Sequence, residues 1–119
     1  LYLASATVNA STTAYSSTGE VTGTGYTAGG VSVTNATPPA STNTSSTAGT
    51  AYWTPSASIT YTSVTLTTAF DAVLIYNSTQ SNKAVSVHTF GSQTVTAGTF
   101  TLTMPSNTTS TALLRLATT

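Results

Sequence analysis

The sequence predicts an all-β protein, a single antiparallel β-sandwich of jelly-roll-like type with long Gly- and Ser/Thr-rich loops over residues 1–119. Three observations predict it. Threonine, valine, tyrosine and isoleucine suit pleated, half-buried surfaces, and the 48 serines and threonines compete with helical backbone bonds. No window places apolar residues at helical spacing over three turns. Short apolar runs alternate instead with Gly, Asn, Ser and Pro, the punctuation of a sandwich.

In chain order, strands are expected at Leu1–Val8, Gly30–Thr34, Ala51–Thr54, Ser58–Thr67, Ala72–Tyr76, Ala84–Phe90, Thr99–Met104 and Ala112–Ala117. Ile59 and Tyr61 keep one parity, Val64 and Leu66 the other, so that strand changes face once, at a bulge near Thr62–Ser63. Residues Ala72 to Tyr76 are apolar throughout and read as a central strand covered on both sides. The turn-rich Asn77 to Asn82 then connects to the alternating Ala84–Phe90. Two stretches escape the pattern. Residues 9–30 form a glycine-hinged arm, expected to lie extended across a neighbouring subunit, and residues 34–50 form a low-complexity loop, expected to be the more mobile of the two.

Only Glu20, Asp71, Lys83 and Arg115 carry charge, where an ordinary domain devotes about a quarter of its residues to charge. Two cations cannot neutralise a phosphate backbone or hold an acidic membrane, so neither partner is expected. The absence of cysteine excludes disulfides and thiolate metal sites. Zero formal charge leaves nothing to keep copies apart, which suits a protein that lives in an assembly.

The same poverty limits chemistry. His88 is the sole imidazole, and a triad could be spelled from it, Asp71 and a serine, but no Gly-x-Ser-x-Gly elbow frames a nucleophile. Nothing in the spacing sets Glu20 and Asp71 across a sugar as a glycosidase pair. Glu20 reads instead as a residue pinning a loop, with Lys83 or Arg115 as possible ionic partners, and Asp71 as a turn residue. The run Gly23-Thr-Gly25-Tyr26-Thr-Ala-Gly29-Gly30 lacks the lysine of a phosphate loop and reads as a set of tight turns. Five of six asparagines open an Asn-x-Ser/Thr triplet, against about two or three by chance, so glycosylation is a weak expectation. Tyr26 and Trp53 are the aromatics first in line for a surface role. No catalytic residue, cofactor or metal ligand is expected.

Three runs in one order resemble a widespread family of small tailed-bacteriophage structural proteins. Leu1-Tyr-Leu followed by Gly19-Glu20-Val21-Thr-Gly23-Thr-Gly25-Tyr26-Thr-Ala-Gly29-Gly30 is similar to that family's "LYT" strand and "NEV-GTGYTAGG" run. Leu74-Ile-Tyr-Asn-Ser-Thr79, Asn82-Lys83-Ala-Val85 and Phe90-Gly91 resemble its "LIYNST…NKAV…FG". Ala97-Gly98-Thr-Phe with Pro105 and Ala112-Leu-Leu-Arg115 resembles its ending. The departure falls at residues 34–50, which are longer and simpler here. The resemblance implies a virion component, a capsid decoration or cement protein that binds copies of itself and the major capsid protein. A homotrimer would suit three-fold capsid positions. The alternative is a tail-tip, fibre or adaptor module that binds host glycan. No catalytic residue is implied. Glu20, Tyr26, Asn77 and Lys83 are matched positions with structural roles, and with Trp53 they make the candidate interface set.

Overall fold

A computed structural model describes residues 1–35, 37–42 and 48–118. Those residues form six strands and no helix: β1 (Tyr2–Leu3), β2 (Ala40–Ser41), β3 (Thr50–Trp53), β4 (Ile59–Asn77), β5 (Lys83–Leu102) and β6 (Leu114–Ala117). They make two antiparallel sheets, ordered β1-β4-β5 and β2-β3-β6, so the all-β class is as the composition predicts. The chain packs as two compact units. One comprises residues 1–31 and 61–100, the other 32–60 and 101–119. The low-complexity loop at 34–50 lies partly outside the described residues, at Ala36 and at 43–47, and the Asn43 triplet lies there with it.

Four of the expected strands fuse in pairs. Ser58–Thr67 and Ala72–Tyr76 are one strand, β4, while Ala84–Phe90 and Thr99–Met104 are parts of β5. The intervening threonines and glycines look like turn material by type, yet they remain in the ladder. The expected face change is present. Ile59 and Tyr61 are buried, Thr62 and Ser63 exposed, Val64 and Leu66 buried again, and Ser63 takes a left-handed φ of 54°. On β5, Ala97 takes φ 47° and its amide donates to Thr65 Oγ1 at 3.0 Å. These two bulges lie where the hairpin bends. Phe90 and Phe100 are ten residues apart, about 33 Å in a straight strand, yet their ring centroids are 5.6 Å apart. Phe70 meets Phe100 edge-on at 4.9 Å and Phe90 at 6.1 Å, with no exposed surface of its own. Doubling the hairpin on itself therefore builds the aromatic centre of the first unit.

The continuous apolar run behaves as expected: Ala72, Val73, Leu74 and Ile75 are all buried. Ala72 and Leu74 pack with Tyr2, and Ala6, Val8, Tyr15, Tyr76, Ala84 and Val87 close around them. The N-terminal segment forms only two residues of strand, where Leu1–Val8 was expected, because its pairing with β4 slips. Tyr2 opposes Ala72 while Leu3 opposes Phe70, leaving Asp71 as the extra residue. Gly30–Thr34 is irregular rather than a strand, since Gly29 and Gly30 both take positive φ.

In the second unit, β3 pairs with β6 from Thr50↔Ala117 to Trp53↔Leu114 and with β2 at Ala40↔Tyr52. Its core among the described residues is small: Ile59, Ala112, Pro55 and Thr54, the last of which accepts the Leu113 amide on Oγ1 at 2.9 Å. A hydroxyl, rather than a methyl, holds that loop in place. Asn107 Oδ1 is buried without a hydrogen-bond partner, and nothing in the structure explains it.

Two substitutions test the bend. Phe70→Ala should cost about 3–5 kcal/mol in urea unfolding, because Phe90 and Phe100 lose their common neighbour. Ala97→Val should cost about 1–2 kcal/mol through its left-handed backbone, whereas Ala97→Gly should not destabilise. Equal effects of the two Ala97 variants would show that the bend does not depend on this residue.

Candidate functional site

The Gly19–Gly30 segment is positioned by backbone contacts that only glycine permits. A Cβ on Gly23 would sit 2.2 Å from the Thr65 carbonyl oxygen, and one on Gly25 would sit 2.5 Å from that of Ser63. Thr24 bridges Thr65, with the Thr65 amide donating to Thr24 O at 2.9 Å. The segment thus lies along its own β4. Residues 19–30 of the glycine-hinged arm are therefore fastened to their own β4. The physical reason is close approach: the glycines let two backbones touch, and Val21 between them is buried to 1 % exposure.

That approach carries Glu20 inside, to 7 % exposure. A buried carboxylate is costly unless its oxygens are satisfied. Here Oε2 accepts from the Tyr15 hydroxyl at 2.7 Å, and Oε1 accepts from the Tyr26 hydroxyl at 2.9 Å and the Gly29 amide at 2.8 Å. Tyr26 in turn accepts from the Leu1 nitrogen at 2.9 Å, and Tyr76 donates to the Gly29 carbonyl at 3.0 Å. Tyr15 stacks on Tyr76 at 4.8 Å and Tyr26 on Tyr61 at 5.6 Å, which holds the phenols in their donating positions. Gly29, at φ 87°, leaves room for the Tyr76 hydroxyl, which a Cβ would meet at 3.2 Å.

The electrostatics follow. The hydrogen bond to the Glu20 carboxylate raises the Tyr15 phenol to about 12. Burial first, and then the Glu20 charge, raise Tyr61 to about 12. Burial and the carboxylate bond push Tyr26 higher still, and burial raises Tyr2. The Tyr15 and Tyr26 phenols are thereby kept protonated as donors to the carboxylate, which is what a clamp requires of them.

The five candidate interface residues separate. Glu20 and Tyr26 come together in the clamp, where Glu20 is buried and Tyr26 half-buried. Glu20 does pin a loop, but with phenols and an amide in place of an ionic partner; Arg115 Nη1 donates to the Thr109 carbonyl at 3.0 Å. Asn77 and Lys83 are exposed at the two ends of the β4–β5 turn. Asn77 Oδ1 accepts from the Thr79 amide and hydroxyl, and Ser81 and Asn82 are both left-handed. Trp53 lies half-buried on β3 in the second unit and donates its indole N–H to Asn35 Oδ1 at 2.7 Å. His88 Nε2 lies 3.0 Å from Ser86 Oγ, its neighbour two along β5. Sequence reasoning missed Tyr15, Tyr61 and Tyr76 as members of the clamp. Only the odd placement of a carboxylate among glycines hinted that several donors must converge there. Among the described residues no group of three or more His, Cys, Asp or Glu could hold a metal.

Glu20→Ala should cost about 3 kcal/mol or more, since it strands an amide and two hydroxyls. Tyr26→Phe should cost about 1.5–3 kcal/mol, as loss of one bond to a charged group. Phenols raised in the folded state contribute fully below the unfolded value of 10 and lose that contribution as pH climbs toward about 12. The melting temperature should therefore hold to pH 10 and fall between 10 and 12, less steeply in Tyr15→Phe. No family model, curated protein or solved structure matches the chain.

Proposed function

We propose that this chain is a structural protein of a tailed-bacteriophage virion, a decoration or cement protein that stabilises the head by packing between subunits. The observation that carries this reading is the use made of the Gly19–Gly30 run. Its carboxylate, its tyrosine and its glycines are all spent on fastening a segment to β4. The positions shared with the phage family thereby have structural work in this chain. The exposed surface is rich in hydroxyls and backbone, with Val31, Val85 and Leu116 as exposed large apolar residues, and the whole chain holds four charged side chains in 119 residues. Such a surface binds through many modest hydrogen bonds, each worth about 0.5–1.5 kcal/mol net, and repetition over a capsid multiplies them. On this reading the partners are other copies and the major capsid protein, and the fold is a jelly-roll-like sandwich.

A tail-tip or fibre module that binds glycan receives less support. Four tyrosines stack on one another, and the Trp53 indole N–H is engaged by Asn35. Mass spectrometry and immunogold labelling of purified particles test the proposal. Many copies on the head, with loss of heat resistance when the protein is stripped, are expected. Absence from the particle overturns the proposal, and labelling confined to the tail favours the alternative.

A further inference from the structure

The outer edge of β5 is open. β5 ends its sheet, with β4 on one side. On the other side the segment around Ala14 covers only its start: the Ala84 amide donates to Thr13 O and the Tyr15 amide to Asn82 O, both at 2.9 Å. These two bonds fix which groups point outward. They belong to even-numbered residues, so the N–H and C=O of Ser86, His88, Phe90, Ser92 and Thr94 face away from β4. Among the described residues no backbone hydrogen bond from a loop reaches them.

Exposed edges are ordinarily blunted by lysine, proline or an inward charge. From Ala84 to Thr96 there is none of these, and the first left-handed residue is Ala97. Gly91 adds a second observation. It has no left-handed φ, and a Cβ there would meet nothing within 4 Å, so its own chain gives no reason for a residue that weakens a strand. Glycine inside a strand commonly marks close approach by another backbone.

We propose that β5 of a second copy of this chain pairs antiparallel with β5 along this edge, about a two-fold axis at Phe90. The segment Val85–Val95 supports the self-pairing. About Phe90 it sets Val85 against Val95, Ser86 against Thr94, His88 against Ser92 and Thr89 against Gly91. No like charges oppose one another. Because Phe90 faces outward, Phe90 pairs with its own copy through two hydrogen bonds, and the Thr89–Gly91 pair falls at the close, non-hydrogen-bonded spacing of about 4.5 Å between Cα atoms. Glycine suits that spacing. Pairing from Ser86 to Thr94 forms on the order of ten backbone bonds. It also brings Val95 of the second copy over Val85, which is 47 % exposed and lines a groove of about 420 Å³ with Val8, Ala10 and Val87.

The inference deepens the proposed function by naming a self-association surface, and it rests on that reading only for the occupant being another copy. It is tested on the purified full chain, without particles. Sedimentation at rising concentration should give a dimer. Ser92→Pro removes one outward N–H from each copy, hence two bonds from the symmetric dimer, and leaves the β4 ladder intact; it should weaken the dimer at least about tenfold. Should that variant misfold by circular dichroism, Ser92→Lys gives the same reading by blunting the edge. The register is tested separately, in a chain with no cysteine of its own. Thr89→Cys mixed with Gly91→Cys should form a disulfide-linked dimer on oxidation, and neither variant should do so efficiently alone. A monomer at every concentration, an edge variant that dimerises as well as wild type, or cross-linking independent of mixing would each overturn the proposal. A dimer that never occurs on particles would leave this pairing standing and remove the virion reading.

Discussion

A single buried carboxylate organises the first unit. Glu20 draws two phenols and an amide inward, and those donors bring their own neighbours: Tyr15 brings Tyr76, Tyr26 brings Tyr61, and Gly29 is held by the Tyr76 hydroxyl. Each partner lies on a different stretch of chain, so the clamp ties residues 15–30 to β4 at two points, Tyr61 and Tyr76. The low dielectric that makes a buried charge expensive also makes its satisfied hydrogen bonds strong and directional. With so few charges in the chain, little else offers that directionality.

The hairpin of β4 and β5 supplies the complementary constraint, which is packing. A β-sheet has one face to bury, and a long hairpin can bury its own face only by bending over itself. Left-handed Ser63 and Ala97 accompany the bend, and Phe70, Phe90 and Phe100 fill what it encloses. The clamp and the bend meet at Tyr61, which stacks on Tyr26 and tilts against Phe100 at 6.4 Å. Polar and apolar anchoring of the unit are thereby joined through one ring.

Much of this was legible before the structure. The shift of parity between Tyr61 and Val64 marked the bulge, because side chains alternate strictly along a strand and a change of phase needs an extra residue. The uninterrupted run Ala72–Tyr76 marked a doubly covered strand, and Ala72 to Ile75 are buried. Glycine spacing marked the turns at Gly25 and Gly29, though not what they turned around. Strand ends were less legible. Thr67 to Asp71 and Gly91 to Gly98 have the composition of loops, and only cross-strand partners, distant in sequence, keep them in the ladder. The course of the arm was illegible for a related reason. Its small residues are equally suited to lying on a neighbour or on β4, and the choice fell to where Ser63 and Thr65 present their carbonyl oxygens.

By itself the sequence determined the class of structure and the kind of surface: β, because of its threonines and alternations, and sparsely charged, because only four of its side chains are charged at neutral pH. Those are local or summed properties, and no folding is needed to read them. The tertiary structure decided which tyrosines meet Glu20, where the long hairpin turns back, and that β5 ends its sheet among the described residues. These are distances between residues far apart in the chain. They depend on which contacts can be satisfied together, and composition and periodicity carry no record of that.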